Sequence, residues 1–169
     1  MNHVAFLRGM NLGKRRVTNQ QLQKVFEDAG CTNVSTFQAA GNVLFDDGPE
    51  ADALEAALAE ALGYDVAVYV RTAAQLAKVA KGGPFAGVGE LTKPAGLHVG
   101  FYGKKLPKSV EACGDDTNEL KVDDTELYWL AHRGVGESTL DWKAITKLTV
   151  DPGTVRNLNT VRKLAAKTG

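Results

Sequence analysis

Arg8-Gly9-Met10-Asn11-Leu12-Gly13-Lys14-Arg15-Arg16 gathers four cationic side chains around two glycines within nine residues. Gly9 and Gly13 permit left-handed backbone and close approach, so successive N–H groups can converge on one anion. Arg8 offers a planar fork for carboxylate or phosphate, Lys14 and Arg15 add positive charge, and Asn11 both donates and accepts. The composition suits anion binding. It is not a P-loop, because the Gly-x-x-x-x-Gly-Lys-Ser/Thr spacing is absent. A tight turn with a solvated basic loop accounts for the same residues without a ligand.

A second group lies near the end of the chain. Asn157 is placed to cap a helix with Thr160 one turn on, which sets a helix N-terminus beside Arg156, and such a terminus favours anions. Lys163 follows on the same face as Thr160. Capping and a surface ion pair would explain these residues equally. Asn42 adjoins Gly41, where turn chemistry competes with ligand contact. The expected ligand-binding set is therefore Arg8, Gly9, Asn11, Gly13, Lys14, Arg15, Asn42, Arg156, Asn157, Thr160 and Lys163. No nucleophile or acid–base pair can be named, so an enzymatic activity is left open. No cofactor is expected. Cys31 and Cys113 share no metal-type spacing and read as reduced thiols. His3 and His98 open equivalent strands, a placement that reads as structural.

The elements that must position these groups are written twice. His3-Val4-Ala5-Phe6 returns as His98-Val99-Gly100-Phe101, and Val70-Arg71-Thr72 returns as Val155-Arg156-Asn157. Asn42-Val43-Leu44-Phe45 aligns with Glu126-Leu127-Tyr128-Trp129. Such self-similarity points to two copies of one small unit. From its opening His to its Val-Arg pair the second copy is about ten residues shorter, and the stretch it lacks corresponds to the basic loop. A loop that one copy does without is a candidate for function, because scaffolds carry function on loops.

Hydrophobic periodicity predicts strands at His3–Leu7, Val34–Gln38, Asn42–Asp46 and Val66–Val70. It predicts helices after the capping box Thr18/Gln21 and over 51–62, and a third capped by Thr72 with Gln75. The second copy repeats this with strands at Leu97–Tyr102, Glu119–Val122, Glu126–Ala131 and Thr154–Arg156. Its helices are expected at Pro107–Cys113, Ser138–Leu148 and beyond Asn157. The order is β-α-β-β-α-β plus a trailing helix, so the expected fold is α+β. It would hold two tandem ferredoxin-like units packed as one compact body, each followed by an extra helix. The expected boundaries are 1–83, a Gly/Pro-rich linker at 84–96, and 97–169.

Zero formal net charge removes the background expected of a general polyanion binder. The charge is uneven, with residues 8–24 and 156–167 basic and 46–60 and 111–126 acidic. No apolar run reaches the length of a membrane span, so a soluble, cytoplasmic protein with no membrane partner is expected.

Three motifs stand out, the first and last of them specific: Leu7-Arg8-Gly9-Met10-Asn11-Leu12-Gly13-Lys14-Arg15-Arg16-Val17, Gly41-Asn42-Val43-Leu44-Phe45, and Gly153-Thr154-Val155-Arg156-Asn157-Leu158-Asn159-Thr160-Val161-Arg162-Lys163-Leu164. On these the chain resembles the bacterial domain-of-unknown-function 1697 family. The resemblance implies a paired ferredoxin-like architecture and no particular activity. Ala40 and Leu158 depart from the Ser and Trp usual in that family, and Asp141-Trp142 is atypical after Gly136-Glu137-Ser138-Thr139-Leu140.

The leading expectation is a small phosphorylated ligand held by residues 8–16 and 156–163. RNA or single-stranded DNA binding is an alternative, through the strand aromatics Phe6, Phe45, Tyr69, Tyr128 and Trp129. It is disfavoured by the zero net charge and by the lack of an RNA-recognition pattern. An enzyme of unknown reaction and a protein-interaction scaffold complete the alternatives. The oligomeric state is not legible.

Overall fold

In the computed structural model, residues 1–10, 16–38 and 41–169 are described. Asn11, Gly13, Lys14 and Arg15 of the expected site lie outside them, as do Ala39 and Ala40 of the expected turn. The chain divides into two units, Met1–Ala77 with Lys163–Gly169, and Lys78–Arg162.

The first unit holds β1 (His3–Leu7), α1 (Asn19–Asp28), β2 (Ser35–Thr36), β3 (Asn42–Phe45), α2 (Ala51–Leu62) and β4 (Val68–Thr72). The helix α3 (Ala73–Ala80) follows. The strands form one antiparallel sheet in the order β2-β3-β1-β4. Helix α1 starts where the sequence says it should. Gln21 N donates to Thr18 Oγ1 at 3.1 Å, and Thr18 N donates to Gln21 Oε1 at 2.8 Å, so two backbone donors with no partner inside the helix are satisfied reciprocally. Thr72 and Gln75 repeat this ahead of α3. Helix α1 buries Leu22 and Phe26, and α2 buries Leu54 and Leu58. These pack with Ala5, Leu7, Val43, Phe45 and Val68 of the sheet into one apolar cluster. Each such side chain contributes about 1.5–3 kcal/mol on burial.

Two expected boundaries move. The strand placed at Val66–Val70 runs instead from Val68 to Thr72, because β1 has only five residues and pairs Leu7 with Val68 and His3 with Thr72. The strand placed at Val34–Gln38 contracts to Ser35–Thr36, because Asn33 and Gln38 take left-handed backbone on either side, with φ of 51° and 60°.

The second unit holds β5 (Gly96–Phe101), β6 (Asn118–Asp123), β7 (Glu126–Ala131), α4 (Trp142–Thr149) and β8 (Thr154–Asn157). The helix α5 (Leu158–Ala166) begins here. Its sheet order is β6-β7-β5-β8, again antiparallel and position for position that of the first sheet. The first crossover is only a 3₁₀ segment, Lys108–Cys113, that buries Val110. The helix expected from Ser138 begins at Trp142. Asp141 Oδ1 accepts from Ala144 N at 3.1 Å and sets the N-cap there, while Ser138 Oγ accepts from Leu140 N and closes a turn.

Beneath this sheet Trp129, Leu120, Leu127, Ile145, Val110 and Leu140 form a second cluster. Asn118, 2% exposed, bridges it to the surface. Trp129 Nε1 donates to Asn118 Oδ1 at 2.9 Å, and Asn118 Nδ2 donates to Asp115 Oδ1 at 3.0 Å. Asp115 also accepts from Thr117 N and from Thr139 Oγ1. These donors, the Thr139 hydroxyl first, hold the Asp115 carboxyl at about 2, well below the usual carboxylate range.

Candidate functional site

The second unit contains a cleft of about 1120 Å³. Three stretches of chain line it: residues from Phe85 to His98, Gly134 with Val135, and the first turn of α5 with Asn157, Leu158, Asn159 and Arg162. Of the expected site residues, the cleft takes in Asn157. Arg156, Thr160 and Lys163 are not among its lining residues, and Arg8, Gly9 and Asn42 belong to the first unit.

Local bonds explain why the α5 end of the cleft is ordered. Asn159 N donates to Asn157 Oδ1 at 2.8 Å, so Asn157 caps the helix as expected. Arg162 Nε donates to the Ala80 carbonyl at 3.2 Å, and one of its terminal nitrogens donates to Asn159 Oδ1 at 3.3 Å. The guanidinium is thereby oriented while its side chain stays exposed. Lys93 adds a second positive charge, and Glu90 is the one acid among the lining residues. A helix N-terminus with two cations nearby is an electropositive end.

His98 is the least expected member. It is 8% exposed and lines the cleft, and its ring packs on Trp129 with centroids 5.1 Å apart. Among the described residues neither ring nitrogen has a hydrogen-bond partner, and both open on the cleft rather than being sealed from it. Burial pushes its pKa below the ordinary 6.5, so the ring is neutral at pH 7. The sequence carries one signal for this. Residue 96 is glycine, and a β-carbon there would stand 3.0 Å from His98 Nε2, so the ring lies where a side chain at that position would crowd it.

Arg156, Asn42 and Arg8 of the expected set have local partners. Arg156 is half-buried and folds back on its own strand, donating to Thr154 Oγ1 at 2.7 Å and to the Val155 carbonyl at 3.0 Å. Desolvation pulls its guanidinium down to about 10, which leaves it charged at neutral pH. Arg71 donates likewise to the Val70 carbonyl. Asn42, 1% exposed, donates from its side chain to the Phe37 carbonyl at 3.1 Å. Arg8 is exposed, its backbone N–H donates to the Ala67 carbonyl, and Gly9 takes φ 68°. Leu158, where the resembling family usually has Trp, is 2% exposed and forms part of the cleft wall. Trp142 lies elsewhere, edge-on to Trp129 in the apolar cluster.

Phe6, Phe45, Tyr69, Tyr128 and Trp129 are all 5% exposed or less, so none presents an open ring face for base stacking. Among the described residues no helix is long and apolar enough to cross a membrane. Nor do any three or more His, Cys, Asp and Glu side chains come together as metal ligands.

The model of a family described as a protein of unknown function, DUF1697, matches residues 1–128. No curated protein matches the chain. A solved structure, the conserved bacterial protein SP0830 from Streptococcus pneumoniae, superposes with a TM-score of 0.72. It is 16% identical, and the match covers 98% of this chain and 97% of that one. At that identity the likeness is one of fold.

Proposed function

The chain belongs to the DUF1697 family of proteins of unknown function, and from that premise we propose that it binds a small anionic ligand at the first turn of α5. The observation that carries this reading is the buried, unpartnered His98 in the same cleft as a helix N-terminus, Arg162 and Lys93. Its ring nitrogens open on the cleft with their hydrogen bonds unmade, and an oxygen of a ligand that reaches them adds a hydrogen bond, worth about 0.5–1.5 kcal/mol net. The basic loop at 8–16 contributes the chain's other concentrated positive charge and is the second place to look for anion contacts.

Melting curves with sulfate and phosphate test the proposal, since a ligand that binds only the folded protein raises its melting temperature. Sulfate also stabilises proteins in general through exclusion from their surface, so the readout is the difference between parent and variants at matched ionic strength. Arg162→Ala is expected to weaken anion binding about tenfold, the usual worth of a charge-assisted hydrogen bond. An anion response identical in parent and Arg162→Ala removes the α5 site. Arg8→Ala, run alongside, reads out the share of the basic loop.

A further inference from the structure

We infer that the ligand of this cleft is an organic oxyanion, an apolar body joined to a tetrahedral anionic group, with His98 donating a proton-bearing nitrogen to one of its oxygens. The inference rests on the anion reading above. Its first ground is size and lining. A cleft of about 1120 Å³ is at the upper end of small-molecule sites, about 300–1,000 Å³, and far larger than a lone sulfate or phosphate needs. Part of its wall is apolar: Phe85, Leu97 and Leu158 are 7%, 9% and 2% exposed, and Leu91, Pro94 and Val135 add to them. A cleft with an apolar wall beside charged groups suits an amphiphilic ligand oriented by its charged end.

The second ground is the state of His98. Around it, β7 presents Trp129 and β8 presents Asn157, neither of which titrates at these pH values. The charged groups lining the cleft are Glu90, Lys93 and Arg162. Burial favours a neutral ring. An oxyanion placed beside the ring reverses the balance and favours the imidazolium, whose two N–H groups are both donors. Binding then takes up a proton, and affinity rises as pH falls.

The test uses methanesulfonate and benzenesulfonate, which carry the same fixed charge across this range and differ in their apolar body. Each is titrated calorimetrically into the parent and His98→Gln, near pH 6 and near pH 8. Benzenesulfonate is expected to bind the parent about tenfold tighter than methanesulfonate. It is also expected to bind several-fold tighter near pH 6 than near pH 8, with that pH difference lost in His98→Gln. Equal affinity for the two sulfonates overturns the apolar body. A pH difference that survives in a folded His98→Gln overturns the role of His98. If sulfate binds in an Arg162-dependent way and neither sulfonate does, the inference falls and the anion site stands. If sulfate fails as well, both fall.

Discussion

His3 and His98 open the central strands of two sheets with the same strand order, yet their surroundings differ. In the first unit His3 stacks on Phe45, with centroids 5.2 Å apart and planes within 16°, and its Nδ1 lies 2.8 Å from the Asp46 carbonyl. In the second unit the cross-strand neighbour is Trp129, the planes are tilted by 43°, and among the described residues no carbonyl bonds the ring. One histidine is bound into the structure and the other is left facing a cleft. An equivalent position on an equivalent sheet therefore need not carry an equivalent role. What distinguishes the two is whether the ring's hydrogen bonds are already made.

The largest effect expected concerns the polar network of Trp129, Asn118 and Asp115 in the second unit. Asn118→Ala removes the acceptor for the Trp129 indole and leaves a buried N–H unbonded. Chemical denaturation should show a loss of about 2–3 kcal/mol. A loss near zero would mean that Trp129 is not held from beneath, and that His98 does not rest on a fixed platform.

The histidines themselves come next. His3→Phe keeps the stacking and loses the bond to Asp46, so it should cost about 1 kcal/mol. His98→Phe loses no bond and should be neutral or stabilising, as is common where a side chain serves binding rather than folding. Equal destabilisation by both would erase the distinction drawn above.

The smallest effect lies at the helix ends. Helix α2 ends on Gly63 with φ 80°, and α4 ends on Val150 with φ 56°. The first is the residue for which left-handed backbone is unstrained, and the second is β-branched and 89% exposed. Val150→Gly should raise stability by up to about 1 kcal/mol, and Gly63→Val should lower it by a similar amount. Melting temperatures of the two variants would show how much strain the end of α4 carries that the end of α2 does not.

Much of this fold is legible in the sequence, because its signals are local. The capping boxes at Thr18 and Thr72 each act within a few residues, and each forms. Boundaries were missed where a partner strand decides them, as at Val68, where the length of β1 sets the start of β4. The α4 start was missed because Asp141 outcompetes Ser138 as a cap, which spacing alone does not rank. Of the cleft, Asn157 was visible as a cap. His98 reads in the sequence as a structural strand opener, and Lys93 and Arg162 give no signal of a site, because their place in one cleft depends on β5, β8 and α5 meeting in space. The burial that makes His98 unusual is a property of packing, which the sequence motif His-Val-x-Phe shares between both units.

Residues Lys163–Gly169 group with the first unit although 85 residues of the second precede them. Gly169 N donates to the Met1 carbonyl at 2.9 Å, and Lys167 Nζ stands 5.3 Å from the centre of the Phe37 ring. During synthesis the amino-terminal unit thus waits for its last segment until the whole of the other unit has left the ribosome. A ribosome stalled before residue 163 would display a first unit still lacking one of its parts, and a chain cut between residues 162 and 163 would have to recover that part from solution.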